Sequence, residues 1–359
     1  YNKIKRHKSE NWVNDMKIAI IGAGIFGVTT AIHLSKNHDV DLFEKNEDIL
    51  QSASGINQYR LHRGYHYPRS FETAKSAKKS EVMFRKEYED AIINNVDHYY
   101  CIAKENSMTS RNQYLEFCKK NDLEYEEIDL NLINKSKIDL TIKVKESLFD
   151  PLKLKEICKK KIIKNNVNLL MGKNIDVTSL QSYDYVVIAT YANLNGPINH
   201  LKNLQINCQF EICEKPIVKI PSSLNKKSIV IMDGPFMCID PYGNNEESVL
   251  GNVKHAIHYT NIGKFPEIPK EFQNILNKGI IKNPPITNFE SFKKSGSIYI
   301  PELSKMEHIG SMYTIRTVLP NVEKTDTRPT LVNKINDNII TVFSGKIGNC
   351  IEAANQVES

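Results

Sequence analysis

Residues 17–44 read KIAIIGAGIFGVTTAIHLSKNHDVDLFE and carry the clearest fold signal in the sequence. Residues 17–22 are short, β-branched and ended by glycine, which predicts a buried parallel strand. Residues 25–35 have the apolar spacing of a helix that packs one face on a sheet. Residues 39–44 alternate between polar and apolar side chains and predict a second strand. The sequence therefore predicts a βαβ unit close to the start of the chain.

The turn that joins the first strand to the helix has the pattern G-x-G-x-x-G, from Gly22 to Gly27. Gly22 allows the tight turn, Gly24 lets a pyrophosphate approach the backbone, and Gly27 lets the helix pack closely on the strand. The first amides of the helix then bind phosphate oxygens, helped by the helix dipole. Glu44 ends the second strand, where a carboxylate accepts hydrogen bonds from ribose hydroxyls and repels the 2′-phosphate of NADP. This context predicts a dinucleotide site, and the motif alone leaves FAD and NAD open.

The composition is that of an ordinary globular protein. Of the 359 residues, 40% are hydrophobic and 25% are charged, and the length allows two compact lobes. The net charge of +6 comes from basic residues spread along the chain, whereas nucleic-acid binders concentrate them on one face or tract. The one dense basic cluster, in residues 3–8, is typical of a solvated tail. We therefore expect no nucleic-acid partner.

The cysteines and apolar stretches indicate where the protein works. The seven cysteines lie far apart and form no C-x-x-C pair, so the sequence predicts no metal site and no disulfide framework. A reducing compartment follows from this. The apolar stretch 18–32 resembles a signal peptide in outline, but no A-x-A pattern follows it and it is shorter than the ~20 residues that span a bilayer. We therefore expect a cytoplasmic protein with no membrane span.

Hydrophobic periodicity predicts the remaining elements. Residues 45–70 are polar and show no clean period, which is typical of a functional loop beside a nucleotide unit. Helices are predicted at about 71–95, 110–121, 151–165 and 270–278, and from 349 to the C-terminus. Strands are predicted at 167–171, 185–189 and 339–343, and the region 208–258 is β-rich. The interleaving predicts two lobes, each built from discontinuous segments.

The loop after the second strand carries a family resemblance. Its sequence, SASGINQYRLHRGYHYPRSFET (residues 52–73), together with the glycine turn, resembles the D-amino-acid oxidase-like superfamily of FAD-dependent oxidoreductases. Those enzymes place a Ser/Gly-rich loop, often followed by a histidine and a glycine, soon after the ribose carboxylate. The matching residues here are Ser52, Ser54, Gly55, His62 and Gly64. The loop is similar to those of glycine oxidases and of 2-hydroxyglutarate and glycerol-3-phosphate dehydrogenases.

Three later segments extend the resemblance. Residues 185–190 (YVVIAT) look like the second nucleotide strand of the family, although Tyr191 stands where the family usually has glycine. Arg316, followed by Pro320 and by Asp326–Pro329, looks like the arginine-bearing segment before the last strand. Residues 344–348 (SGKIG) look like the final glycine turn under the flavin.

The resemblance implies an α/β fold with FAD as the cofactor. A Rossmann-type FAD-binding lobe with a parallel sheet would be joined to an interleaved substrate lobe built on a mixed or antiparallel sheet. The FAD lobe would comprise residues 16–75, 140–205 and 310–359, the substrate lobe residues 76–139 and 206–309, and residues 1–15 a disordered extension. The implied cofactor-binding residues are Gly22, Gly24, Ile25, Phe26, Gly27, Glu44, Lys45, Ser54, Gly55, Thr190, Gly345, Lys346, Ile347 and Gly348.

The implied chemistry is hydride transfer to the flavin from a C–N or C–O bond of a small polar substrate. If that substrate carries a carboxylate, a fixed guanidinium holds it in bidentate fashion, and Arg316 is the candidate. The alternative for Arg316 is a surface salt bridge. We predict that Arg316→Ala lowers turnover strongly and leaves FAD bound.

Two further side chains are candidates for roles near the flavin. His62 matches the family position and could orient the substrate or exchange protons, although a single loop histidine is more often structural. Lys346 could add positive charge where negative charge collects on the reduced flavin, or be an exposed lysine in a plain strand-to-helix turn.

Several alternatives stay open. The substrate is amino-acid-like in the leading hypothesis, and a 2-hydroxy acid or sugar-derived alcohol in its close rival. The electron acceptor is oxygen or a redox partner, and the flavin is covalent or non-covalent. A non-catalytic dinucleotide-binding protein would hold FAD that no donor bleaches, and an NAD-dependent dehydrogenase would purify colourless. No local motif supports covalent hydrolysis, and there is no P-loop.

Overall fold

The computed structural model describes residues 15–243, 246–321 and 327–359. The predicted extension 1–15 lies outside the described residues except for its last residue, and so does Asp326. The strands are β1 (Lys17–Ile21), β2 (Asp39–Phe43), β3 (Arg60–Leu61), β4 (Ile92–Ile93), β5 (Asp97–Ala103), β6 (Tyr125–Glu127), β7 (Ile138–Val144), β8 (Ser147–Phe149), β9 (Asn168–Leu170), β10 (Tyr185–Ile188), β11 (Cys208–Lys219), β12 (Lys227–Met232), β13 (Met237–Pro241), β14 (Glu247–Asn252), β15 (Ile257–Gly263), β16 (Glu307–Val318), β17 (Leu331–Lys334) and β18 (Ile339–Phe343). The α-helices are α1 (Ile25–Leu34), α2 (Phe71–Glu87), α3 (Arg111–Lys120), α4 (Pro151–Lys164), α5 (Lys270–Gln273), α6 (Phe289–Tyr299) and α7 (Cys350–Glu358).

The predicted βαβ unit lies at the centre of a six-stranded sheet of order β17-β18-β10-β1-β2-β9. The pairs from β18 to β9 are parallel, and β17 closes one edge in the antiparallel direction. The apolar side chains of β1 are buried, as expected of a central parallel strand. Helix α1 is buried over nine of its ten residues because α4 and α7 cover the face that the sheet does not. The Rossmann-type prediction is confirmed.

The second large sheet has nine strands. Its path is β15-β11-β14-β13-β12-β5-β7-β6, with β16 also paired to β11. The β5–β12 pair is parallel and the other pairs are antiparallel, so the predicted mixed sheet is confirmed. A small sheet, β3-β8-β4, lies beside it.

Strand β11 organises this sheet. One of its edges pairs with β16 along its length, while the other edge pairs first with β15, up to Cys213, and then with β14, from Ile217. The register shifts at Ile212/Cys213. The stretch around Lys215 therefore lies where β11 passes from one neighbour to the next.

Two of the predicted boundaries between the lobes fall inside strands of the large sheet. The boundary predicted at 309/310 falls inside β16, which pairs with β11 along its length in the large sheet. The boundary predicted at 139/140 falls inside β7, which pairs with β5 and β6 in the same sheet. If each lobe is defined by its sheet, we propose that the substrate lobe extends to residues 144 and 318.

Two helices are shorter than predicted. Helix α2 begins at Phe71, where the Ser70 side chain accepts from the Thr73 amide, but it ends at Glu87 because the following residues form a 3₁₀ turn and strand β4. Helix α5 covers only Lys270–Gln273, since Leu276 bridges to Tyr313 of the large sheet and Asn277 takes a left-handed φ of 59°. In both places long-range pairing overrides local helix propensity.

Candidate functional site

A single long cavity of about 960 Å³ joins the two large sheets. One part is lined by Gly22, Gly24 and Glu44, and we call it the glycine end. Another part is lined by Cys213, Lys215 and Arg316 of the large sheet, and we call it the sheet end. The cavity therefore runs from the βαβ unit to the face of β11 and β16.

At the glycine end, backbone segments pack directly against one another. Gly22 has φ 102°, and a Cβ there would lie 2.7 Å from the Ala189 carbonyl oxygen. A Cβ on Gly27 would lie 1.8 Å from the Gly22 carbonyl oxygen, so α1 begins directly on the turn. Gly24 is the N-cap of α1 and supplies no capping side chain. The first amides of the helix are thus left for a ligand, except the Ile25 amide, which donates to Ser54 Oγ at 3.0 Å.

Glu44 is held in place by three donors beside this turn. Its Oε2 accepts from the Ala23 amide at 2.8 Å, and its Oε1 accepts from the amide and the side chain of Asn46 at 2.9 and 2.7 Å. The carboxylate lines the cavity, where its remaining lone pairs suit ribose hydroxyls. Asn46 was not among the predicted site residues. Its position two residues after Glu44 is nevertheless typical of a local hydrogen bond between an acidic side chain and a nearby backbone amide.

Most of the predicted cofactor residues line the cavity together, and two do not. Those that line it are Gly22, Gly24, Ile25, Phe26, Glu44, Lys45, Ser54, Thr190, Gly345, Lys346, Ile347 and Gly348. Gly27 and Gly55 lie behind the surface instead. A Cβ on Gly55 would lie 2.3 Å from the Leu50 carbonyl oxygen, so this glycine shapes the loop. The stretch Lys173–Ile175, which follows β9, also lines the cavity and was missed.

Tyr191, the departure from the family pattern, has a structural explanation. Its φ is 52°, the left-handed region that glycine adopts most readily. Its hydroxyl accepts from the Thr317 amide at 2.9 Å and donates to the Thr317 carbonyl at 3.2 Å. These bonds tie the end of β10 to β16 and offset the backbone strain, which is typically 1–3 kcal/mol.

The C-terminal turn is fixed from two sides. A Cβ on Gly345 would lie 2.3 Å from the Arg328 carbonyl oxygen, so the segment around Arg328 passes close above it. The Asn349 side chain donates to Ser76 and Ser80 of α2 at 2.9 and 2.8 Å. Lys346 places its ammonium 4.8 Å from the centre of the Tyr67 ring. The turn is thus a rigid part of the cavity wall.

His62 lines the cavity in front of a buried polar network. Its Nδ1 is buried without a hydrogen-bond partner, 3.8 Å from Glu146 Oε1. Glu146 accepts instead from the Arg63 amide and the Tyr100 hydroxyl, at 2.8 and 2.7 Å. Burial, together with the charges of Lys346 and Arg60, lowers the pKa of His62 well below its usual value, so the imidazole is neutral at pH 7.

Arg316 lies in the cavity wall but is already paired. It stands directly opposite Glu211 in the β11–β16 register, and its Nε and Nη2 contact the Glu211 carboxylate. The Arg316 side chain is 41% exposed, which leaves the guanidinium open to the cavity. The salt bridge of the two predicted alternatives is thus present, and the role of Arg316 as a ligand clamp stays a prediction.

Sequence reasoning missed the polar residues that the large sheet contributes. Lys215 and Cys238 line the cavity, and so does Gln58, whose Oε1 is buried without a partner. A Cβ on Gly251 would lie 2.6 Å from the Gln58 amide nitrogen, so this glycine leaves room for the side chain. The only available signal was the alternation of β11, which places Glu211, Cys213 and Lys215 on one face.

Two features are absent from the described ranges 15–243, 246–321 and 327–359. No three His, Cys, Asp or Glu side chains there lie together as a metal site requires. No helix in those ranges has both the length and the apolar character needed to cross a bilayer.

Comparison with known proteins matches part of the chain to a family model. Residues 17–151 match the family model DAO, FAD dependent oxidoreductase. The chain is similar to the FAD-dependent monooxygenase kojA of Aspergillus flavus, with 23% identity over 95% of this chain and 85% of the relative. Glycine oxidase from Geobacillus kaustophilus superposes with a TM-score of 0.71 at 13% identity, covering 96% of this chain and 94% of that one. The L-α-glycerophosphate oxidase from Mycoplasma pneumoniae with FAD bound gives 0.69 at 12% identity, covering 96% and 94%.

The fold, the glycine turn with its acidic partner, and the family match agree. Residues 17–151 match the family model of DAO, FAD dependent oxidoreductases, and the whole chain shares its fold with glycine oxidase.

Proposed function

We propose that this enzyme oxidises the C–N bond of a small amino-acid-like substrate that carries a carboxylate. FAD supplies the chemistry by accepting a hydride. The residues that would hold FAD are the cavity-lining set around Gly22, Glu44 and Gly345, together with the Ser54 loop. The substrate would bind at the sheet end, where side chains from β11 and β16 face the cavity.

The charge of the cavity wall carries this proposal. The cationic side chains that line it are Lys45, Arg60, Arg69, Lys173, Lys215, Arg316, Arg328 and Lys346. The anionic ones are Glu44 and Asp233. Glu146 and Asp240 pair with Arg60, and Glu211 pairs with Arg316, so the eight cations exceed these five carboxylates by three. The pyrophosphate of FAD carries only about two negative charges, so positive potential remains for an anionic substrate.

Two side chains have proposed roles in the reaction. Arg316 would hold the substrate carboxylate through the part of its guanidinium that Glu211 does not engage. His62, which is neutral, would orient the substrate through the side of its imidazole that lines the cavity. A group with so low a pKa is a weak base, so we assign His62 positioning and not proton abstraction.

The test is anaerobic reduction of the purified protein. The absorption spectrum of oxidised FAD is recorded, and a panel of amino acids and matched 2-hydroxy acids is added. We expect amino acids to bleach the flavin band. Bleaching by 2-hydroxy acids or sugar-derived alcohols alone would favour the alternative substrates, and FAD that no donor bleaches would indicate a non-catalytic protein.

The partner and location of the enzyme are also proposals. The electron acceptor is oxygen or a redox protein, and reoxidation rates of the bleached enzyme in air distinguish the two. We further propose a cytoplasmic location, because the described free cysteines, six of them buried, suit a reducing compartment.

A further inference from the structure

Lys215 is an unusual feature of the sheet end. It projects from β11 into the cavity and is half-buried. Within the described residues, its ammonium has no hydrogen-bond or ion-pair partner. Desolvating an ammonium without a counter-charge is unfavourable, and burial accordingly lowers the pKa of Lys215.

Three other cations of the cavity wall already have partners. Arg60 lies 2.7 Å from Asp240, Arg69 lies 2.8 Å from Asp233, and Arg316 contacts Glu211. Asp240 interacts with Lys215 electrostatically and without a hydrogen bond, and its carboxylate is already paired with Arg60. The lysine charge is therefore the one that an incoming anion would compensate most.

Lys215 faces the cavity at an irregular point of its strand. It lies between the β15-paired and β14-paired parts of β11, so its backbone has no ladder partner on that edge. It shares its face with Cys213 and Glu211, and Arg316 stands across from Glu211 on β16. Lys215 and Arg316 thus lie on the same wall of the cavity.

We infer that Lys215 binds the carboxylate of the substrate and determines the preference for anionic over neutral ligands. This inference rests on the proposed function, since it takes the substrate to carry a carboxylate. Lys215 would act by charge, as an ammonium with three donors, whereas Arg316 would fix orientation through its planar guanidinium.

The test uses the FAD-loaded protein and unreactive probes. Benzoate and acetate are titrated against their neutral counterparts benzamide and acetamide, and binding is followed by calorimetry and by the shift of the flavin band. In the unaltered protein we expect the carboxylates to bind more tightly than the amides. In Lys215→Met the Kd of the carboxylates should rise about tenfold or more, while that of the amides stays unchanged.

Three variants control the measurement. Lys219→Met removes an exposed lysine from the same strand and should leave every Kd unchanged. Lys215→Arg should keep much of the carboxylate preference. Lys215→Gln provides a second neutral variant if Lys215→Met does not fold.

The outcomes that overturn the inference are distinct from those that overturn the proposed function. Equal carboxylate binding by Lys215→Met and unaltered protein overturns it, as does loss of FAD in place of carboxylate affinity. Failure of benzoate and acetate to bind the unaltered protein overturns it as well. Failure of every amino acid to bleach the flavin contradicts the proposed oxidation instead, because the probes bind without reacting.

Discussion

The two ends of the cavity are built in different ways. The glycine end is made of backbone from one short segment, with a carboxylate that is fixed by neighbouring amides. The sheet end is made of side chains from β11 and β16, which lie about a hundred residues apart in sequence. The glycine end therefore depends on local backbone geometry, whereas the sheet end depends on side chains that can vary without changing the fold.

The largest expected effect breaks the glycine end. In Gly27→Ala the new methyl group would lie 1.8 Å from the Gly22 carbonyl oxygen, so α1 has to move away from the turn. We expect the protein to lose FAD and much of its stability, as measured by flavin content and thermal unfolding. Gly263→Ala is the matched control, because the nearest heavy atom beyond the adjacent residues, Asn261 Nδ2, would lie 3.7 Å from the added Cβ. Retention of FAD by Gly27→Ala would contradict the assigned turn.

The second largest expected effect changes the sheet end and leaves the glycine end intact. Arg316→Ala removes the proposed clamp at the sheet end, and we expect kcat/KM for the best amino-acid donor to fall about 100-fold. FAD content should not change. Arg111→Ala, which breaks an exposed ion pair with Glu127, is the control and should leave both quantities unchanged. Equal kinetics of Arg316→Ala and unaltered protein would remove Arg316 from the site.

A smaller effect tests the acidic partner of the turn. Glu44→Gln keeps the shape of the side chain but replaces one acceptor oxygen by an amide donor, which faces the donors of Ala23 and Asn46. We expect the Kd of FAD to rise about tenfold, as measured by fluorescence of released flavin. Glu47→Gln, a nearby change outside the cavity lining, should leave the Kd unchanged.

The smallest expected effect concerns Tyr191, whose hydroxyl links the end of β10 to β16. Tyr191→Phe removes two hydrogen bonds to Thr317 and leaves the left-handed backbone in place. We expect the free energy of unfolding to fall by about 1 kcal/mol, by urea denaturation, with FAD still bound. A variant as stable as the unaltered protein would mean that the tyrosine hydroxyl does not offset the strain.

Sequence reasoning predicted more of the glycine end than of the sheet end. The glycine turn, Glu44 and the last strand Ile339–Phe343 were predicted because short-range sterics and periodicity determine them. Asn46 and Lys215 were missed for different reasons. Asn46 acts through a bond to its neighbour Glu44, and Lys215 becomes distinctive only when its strand meets the cavity.

The βαβ unit and its dinucleotide turn could be predicted from residues 17–44 alone, because glycine spacing and backbone sterics act over a few residues. The loop at residues 52–73 added the family resemblance. The tertiary structure was needed to show which face of β11 meets the cavity and that Arg316 is shared with Glu211. Strand alternation tells which side chains share a face, but the packing of distant strands selects the face that is turned toward the ligand.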